Sequence, residues 1–196
     1  APDAPEMVGK RVVGEINAGC GRCALCVKGD ARHCPRRTVL GIHGRDGAHA
    51  EFLTLPVVNL LEVPREVSDR QAIFTEPLAA AYGITEQVEI LPETRVAVVG
   101  DGKLGLLCAM SLALASERVC LIGKHKEKLA VARKRNIETV LLADAVPEMN
   151  REFDVAVEAS GSPTGFATAL ELLRPRGKMV LKSTFQGRTD LEMWRV

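Results

Sequence analysis

The stretch Val98-Val99-Gly100-Asp101-Gly102-Lys103-Leu104-Gly105 carries the spacing G-x-G-x-x-G. It follows an apolar run, Arg95-Val96-Ala97-Val98-Val99, and opens a segment with helical character from Lys103 to Ala115. Short apolar runs of this kind belong to strands buried inside parallel sheets. At a strand–turn–helix junction, Gly100 permits the tight turn. Gly102 lets a pyrophosphate approach the backbone, and Gly105 lets the helix pack closely on the strand. The helix start at Lys103 and Leu104 offers free N–H groups to phosphate oxygens. Alone the spacing is a weak signal, because glycine turns are common; the strand before it and the helix after it make it a dinucleotide-binding signature. A methyltransferase holding a nucleoside cofactor at the same kind of turn is the competing reading.

Downstream, the alternation continues. Arg118 to Ile122 reads as a second strand, Lys126 to Arg135 as a helix and Thr139 to Leu142 as a third strand. Phe153 to Glu158 is a fourth strand. Ser162-Pro163 supplies an N-cap and a first-turn proline for a helix to about Leu173, and Gly177 to Leu181 is a fifth strand. Five strands alternating with helices predict an α/β fold with a doubly wound parallel sheet.

The end of the second strand is where an acidic residue binds adenosine ribose hydroxyls and repels a 2′-phosphate. Here the strand runs into Gly123-Lys124-His125-Lys126, with Gly123 at the position expected for the acid. A missing carboxylate with Lys124 and His125 beside it favours a phosphate, so NADP is expected over NAD. The plainer alternative is that Lys124, Lys126 and Lys128 form a solvated helix start, which leaves Gly123 unexplained. Ligands in such sheets sit outside the carboxyl ends of the strands. Ser160 and Gly161 after strand four, and Ser183 after strand five, are therefore candidate ribose or nicotinamide contacts; equally, they are plain loop residues.

Upstream, the character changes. Residues 1 to about 65 are rich in Gly, Pro and Cys. They carry short β-type runs at Arg11–Ile16, Val39–Ile42 and Ala50–Leu55, with turn-like separators such as Arg45-Asp46-Gly47. Ser68-Asp69-Arg70-Gln71 reads as a capping box. The helical stretch it opens breaks or kinks near Pro77, with a second helix from Leu78 to Val88. The expected organisation is a β-rich domain over 1–65, linking helices over 66–93 and an α/β domain over 94–196.

Cys20, Cys23, Cys26 and Cys34 give C-x2-C-x2-C-x7-C. Four thiolates on one tight loop can close a tetrahedral shell around zinc. A shell filled by protein ligands has no open position, so the metal would be structural. The lobe from Gly19 to Pro35 has little apolar content to hold it without an ion. Free or disulfide-paired cysteines are the bland alternative, and close spacing argues against it. A nucleic-acid-binding zinc finger lacks its basic recognition helix. Cys108 and Cys120 fall in a predicted helix and strand and read as core.

Composition narrows the partners. The 196 residues are 46% hydrophobic and 26% charged, and 26 Lys and Arg against 25 Asp and Glu leave a formal charge of +1. That balance fits a folded globular protein and offers no global attraction to nucleic acid or membrane. Aromatics at 4% argue against base-stacking platforms for single-stranded nucleic acid. No run of about 20 apolar residues supports a membrane span. No secretory signal is visible, although one could precede Ala1, and metal-type cysteine spacing fits a reducing compartment, so a cytoplasmic location is expected.

In four passages the chain resembles the zinc-dependent medium-chain dehydrogenases/reductases, the alcohol, sorbitol and threonine dehydrogenase group. They are Gly9-Lys10-Arg11-Val12-Val13, the four-cysteine lobe, Gly47-Ala48-His49-Ala50-Glu51-Phe52 and the glycine turn with its strand. The resemblance implies part of a GroES-like catalytic domain up to about residue 65 and a Rossmann domain from about 94. It implies hydride transfer between NAD(P) and an alcohol or polyol, or the carbonyl product. It also implies that Glu76, in Glu76-Pro77-Leu78, is a catalytic-zinc ligand or binds the metal-bound water; the residue alone reads equally as a helix cap. The family's other catalytic-zinc ligands, a Cys and a His-Glu pair, are expected upstream of Ala1, and its dimerising strand beyond Val196. A longer chain of about 340 residues, some two domains, and a homo-oligomer are therefore expected. The alternatives are a non-catalytic module that binds zinc and nucleotide, and a zinc-free reductase, which would have no use for the cysteine lobe.

Overall fold

A computed structural model describes residues 4–184, 187 and 188. The end of the expected 94–196 domain lies outside the described residues. The chain divides into two compact units, 1–76 and 77–196.

The first unit is built from small pieces. β1 (Val12–Gly14) pairs antiparallel with β4 (Leu60–Glu62), and β2 (Asn17–Ala18) pairs antiparallel with β3 (Thr38–Val39). Between β2 and β3 lie the single-turn helix α1 (Ala24–Val27) and a 3-10 turn over Ala31–His33. The strands at 11–16 and 39–42 are shorter than expected, and residues 50–55 form no strand. Phe52 is 87% exposed, so alternating side chains there had no face to bury and no partner strand to hold them. The partner of β1 is instead 60–62, a segment the sequence reading passed over. Asn59 explains the choice: buried, it donates from Nδ2 to the carbonyls of Glu15 (2.8 Å) and Asn17 (2.9 Å), fixing the start of β4 against the chain leaving β1.

The capping box forms as expected, with the Ser68 N–H donating to Gln71 Oε1 at 2.9 Å at the head of α2 (Asp69–Ala72). The break that follows lies before Pro77, not at it. Pro77 is the third residue of α3 (Thr75–Tyr82), where a missing N–H costs no helical hydrogen bond. Gly83 then separates α3 from the single-turn α4 (Ile84–Gln87), so the expected 78–88 helix is two pieces.

The second unit holds a five-stranded, all-parallel sheet. Its strands are β5 (Val96–Val99), β6 (Val119–Gly123), β7 (Glu138–Leu141), β8 (Phe153–Glu158) and β9 (Leu173–Leu181). Their order is β7-β6-β5-β8-β9. The chain crosses between strands through α5 (Lys103–Leu112), α6 (Lys126–Arg133), α7 (Leu142–Met149) and α8 (Pro163–Leu172). α7 was not anticipated; Pro147 inside it masked the helical pattern. β9 pairs regularly with β8 only from Lys178 onward, after an irregularity, so the expected start near Gly177 marks the ordered ladder.

Strand alternation sorts the core into two layers. Val96 and Val98 join Cys108, Ala109 and Leu112 of α5 and Leu129 and Ala132 of α6 on one face. Ala97 and Val99 join Ala145 and Met149 of α7 and Ala169 and Leu172 of α8 on the other. Burial of both faces is why β5 reads as a continuous apolar run. Cys108 and Cys120 are fully buried core residues, and burial pushes their thiols up to about 11 and about 12. The order 3-2-1-4-5 reverses direction between β5 and β8, so the carboxyl ends of these two strands open a crevice, the usual nucleotide position in such sheets.

Candidate functional site

A cleft of about 300 Å³ opens at that crevice. The glycine-rich turn forms its floor. Gly100 has φ 122°, and a Cβ there would lie 2.6 Å from the Ala159 carbonyl oxygen, so only glycine fits between β5 and the loop after β8. At Gly105 a Cβ would overlap the carbonyl of Gly100, which is the close helix–strand approach expected of that position. At Gly102 a Cβ would meet nothing within 4 Å, and no side chain caps α5. The turn therefore presents bare backbone and the first N–H groups of a ten-residue helix to the cleft.

Gly100, Gly102, Gly123, Lys124, His125 and Ser160 all line the cleft. Lys103, Leu104 and Gly105 sit in the first turn of α5, just behind the wall. Gly161 and Ser183 lie near it without lining it. Ser160 and Ser183 share a partner. The buried Glu158 carboxylate accepts from the Ser160 N–H (2.8 Å), the Ser160 hydroxyl (2.5 Å) and the Ser183 hydroxyl. Both hydroxyl protons are thus committed, and towards a ligand these serines are acceptors.

Some lining residues were not expected at the cleft. Ser162 was read only as the N-cap of α8, and Lys128 of α6 only as part of a solvated helix start; Thr164 and Thr168 come from α8 itself. Their i, i+4 spacing (164, 168) was a readable sign of one helix face. Asp101 is the larger omission. Its carboxylate is almost buried and accepts from the His125 backbone N–H at 2.7 Å; His125 Nδ1 lies 3.0 Å from both of its oxygens. Desolvation works to raise the Asp101 carboxyl, but the hydrogen bonds and charge of His125 outweigh it, and the net position is below the ordinary 3.8. A Cβ on residue 123 would lie 2.5 Å from Asp101 Oδ2 and 2.6 Å from Cγ. The glycine at the end of β6 therefore has a steric cause besides the one expected: it makes room for Asp101.

The second candidate site is the cysteine lobe. The Sγ atoms of Cys20, Cys23, Cys26 and Cys34 lie within 4.8 Å of one another, and no disulfide joins them. Cys23 Sγ is 3.5 Å from Cys26 Sγ and 3.7 Å from Cys34 Sγ. Zinc–sulfur bonds of about 2.3 Å in a tetrahedron require sulfurs about 3.8 Å apart, so the spacing fits a zinc ion. The surroundings suit thiolates. The backbone N–H groups of Cys20 and Arg36 donate to Cys34 Sγ at 3.5 and 3.3 Å, and the Arg36 guanidinium reaches Cys20 Sγ at 3.4 Å. The Arg22 N–H, with Arg36 and neighbouring donors, holds the Cys20 thiol down at about 5, while desolvation and the sulfur of Cys23 push Cys26 up to about 11. Among the described residues this is the one cluster of three or more metal-ligating side chains. Glu76 stands apart from it, half-buried in the first turn of α3.

Comparisons with known proteins agree with both units. Residues 4–65 match the alcohol dehydrogenase GroES-like domain. L-threonine 3-dehydrogenase of Paraburkholderia phymatum is 31% identical over 199 residues, covering 96% of this chain and 57% of that protein. The enzyme of the same name from Burkholderia vietnamiensis is 33% identical, with 94% and 56% covered. The chain thus spans a little over half the length of these relatives. Among solved structures, a putative zinc-binding dehydrogenase of Sinorhizobium meliloti bound to NADP superposes with a TM-score of 0.84 at 26% identity, covering 95% of this chain and 58% of that one. An alcohol dehydrogenase from a Thermus species superposes with a TM-score of 0.83 at 28% identity, covering 94% and 60%. With the glycine-rich turn and the four-cysteine lobe both in place, the chain belongs to the zinc-dependent medium-chain dehydrogenase/reductase family.

Proposed function

We propose that the protein is an oxidoreductase that transfers a hydride between a nicotinamide dinucleotide and a small alcohol or polyol, or its carbonyl product. The cleft at the β5–β8 reversal carries this reading: bare glycine backbone and an uncapped helix start on its floor, hydroxyls on one wall and cations on the other. The turn from Gly100 to Gly105 would hold the pyrophosphate through backbone N–H groups. Ser162, Thr164 and Thr168 supply hydroxyls from α8, while Ser160 and Ser183, fixed by Glu158, accept from ribose or carboxamide donors. The nicotinamide, when bound, supplies the hydride chemistry; the chain's part is to bind and orient it.

For the dinucleotide we propose NADP over NAD. Lys124, His125 and Lys128 line the wall at the end of β6, residue 123 carries no carboxylate, and the Sinorhizobium relative is described as bound to NADP. Cys20, Cys23, Cys26 and Cys34 would hold a structural zinc. For Glu76 we propose a role at a catalytic metal, as a ligand or through its bound water, on the strength of the family resemblance. Among the described residues Glu76 belongs to no cluster of three or more metal-ligating side chains. The substrate is proposed only as a small molecule; no helix among the described residues is long and apolar enough to cross a membrane.

Titration of the 196-residue chain with NADPH and NADH, followed by nicotinamide fluorescence, tests this reading. Saturable binding of both, tighter for NADPH, is expected. Failure of both to bind at millimolar concentration would remove the dinucleotide assignment, and tighter NADH binding would reverse the cofactor preference alone.

A further inference from the structure

We propose that Asp101 is the positioning residue for His125, so that the glycine-rich turn takes part, through His125, in selectivity between the two nicotinamide dinucleotides. The inference rests on the dinucleotide reading of the cleft and adds to it a residue that acts through another.

Three observations converge on Asp101. Its carboxylate occupies the space that any side chain on residue 123 would need, since a Cβ there would meet Asp101 Cγ at 2.6 Å. Gly123 and Asp101 are therefore one arrangement: the acid comes from the turn, and the strand end gives way to it. Both Asp101 oxygens are turned to His125, one taking the backbone N–H at 2.7 Å and both lying 3.0 Å from Nδ1. The Asp101 side chain is only 9% exposed, whereas that of His125 is 48% exposed. The carboxylate is thus covered, and the cleft meets the imidazole instead.

The ring geometry gives this arrangement its use. With Nδ1 held against Asp101, Nε2 faces away from the carboxylate, and it makes no hydrogen bond among the described residues. Hydrogen bonding at one ring nitrogen fixes the state of the other. With Nδ1–H donating to the carboxylate, the ring plane is fixed and its Nε2 edge is left to the cleft, where an Nε2–H can donate to a phosphate oxygen. Lys128 Nζ, 3.4 Å from Nδ1, and Lys124 stand on the same wall of the cleft. A bare carboxylate beside a phosphate site would repel the phosphate. Covered by His125, Asp101 anchors a donor and leaves that donor's edge facing the ligand.

The test is a double-mutant cycle on the full chain, read as Kd for NADPH and for NADH by fluorescence titration. His125→Gln is expected to weaken NADPH about tenfold, the scale of one hydrogen bond to a charged group, and NADH less than about twofold. Asp101→Asn is expected to give the same selective loss, about threefold to tenfold for NADPH. In the His125→Gln background, Asp101→Asn should add no further selective loss, because its effect runs through the ring. Gly123→Ala serves as an independent variant: it keeps both residues but crowds the carboxylate, and should reproduce the NADPH-selective loss. An unchanged NADPH-to-NADH ratio in both Asp101→Asn and Gly123→Ala overturns the inference. So does a raised NADPH preference in Asp101→Asn, which would make the carboxylate a repelling charge. Full additivity of the two single effects also overturns it. If these outcomes come with intact binding of both nucleotides to the wild type, the dinucleotide reading survives; if neither nucleotide binds the wild type, both fall together.

Discussion

Ser111 is buried on α5, and its hydroxyl has no hydrogen-bond partner among the described residues. An unsatisfied buried hydroxyl costs about 1–3 kcal/mol, and alanine is the better helix former. Ser111→Ala is therefore expected to stabilise the protein by about 1 kcal/mol, raising Tm by some 2–4 °C with no change in nucleotide binding. Thermal denaturation checks this, and a fall in Tm would show that the hydroxyl has a partner. Asp101 gives a prediction of opposite character. Its folded carboxyl lies below the ordinary 3.8, so it contributes stability that is present above that value and lost as pH falls through the folded one. Asp101→Asn should flatten the acid limb of the stability profile below about pH 4, by denaturant titration across pH. These two residues mark what could be read in advance and what could not. Gly100, Gly102 and Gly105 were legible because their spacing encodes a backbone path. Gly123 was legible as an oddity, but its steric cause lay 22 residues earlier in the chain, a contact that no local pattern records.

Elements show the same division between local and distant causes. β8 and α8 matched their expected bounds closely because an apolar run and a Ser162-Pro163 start are local signals. The expected strand at 50–55 failed because a strand needs a partner, and β1 found 60–62. α7 was missed because Pro147 interrupts its pattern without breaking it. At the amino end of the sheet, away from the cleft, Asp154 ties three elements together. It accepts from the Arg95 N–H at 2.7 Å, before β5, and pairs with Arg174 Nε at 2.5 Å on β9. Arg95 in turn pairs with Glu152 at 2.6 Å and lies over the Phe153 ring. Asp154→Ala should cost about 1–2 kcal/mol by leaving these donors unmatched in a half-buried setting. Because this glue lies at the opposite strand ends from the glycine turn, Kd for NADPH should stay within about twofold. A stability loss that carried nucleotide affinity down with it would contradict that separation of roles.

At the scale of the whole chain, the two units are held by different forces. The second has a layered apolar core on both sheet faces. The first spends 17–39 on a lobe whose buried residues are Ala18, Cys34 and Val39, while Val27 of α1 is 75% exposed. Apolar burial there is too small to offset the backbone entropy of ordering more than twenty residues, at about 1–2 kcal/mol each. A zinc ion in the four-cysteine shell would supply the difference, since structural zinc contributes its binding energy directly to folding. Cys23→Ser, which leaves three thiols, is therefore expected to lower zinc content from about one per chain to a small fraction, measured by elemental analysis. Hydrogen exchange should then show the amides of 17–39 losing protection while those of β5, β6 and β8 keep theirs. The same pattern should follow a strong chelator on the wild type, with NADPH binding retained, because the glycine turn and its sheet depend on apolar packing and not on the metal. Loss of protection across both units together would mean that the lobe supports the whole chain, and unchanged protection at 17–39 after zinc removal would mean that the lobe is held by something other than the metal.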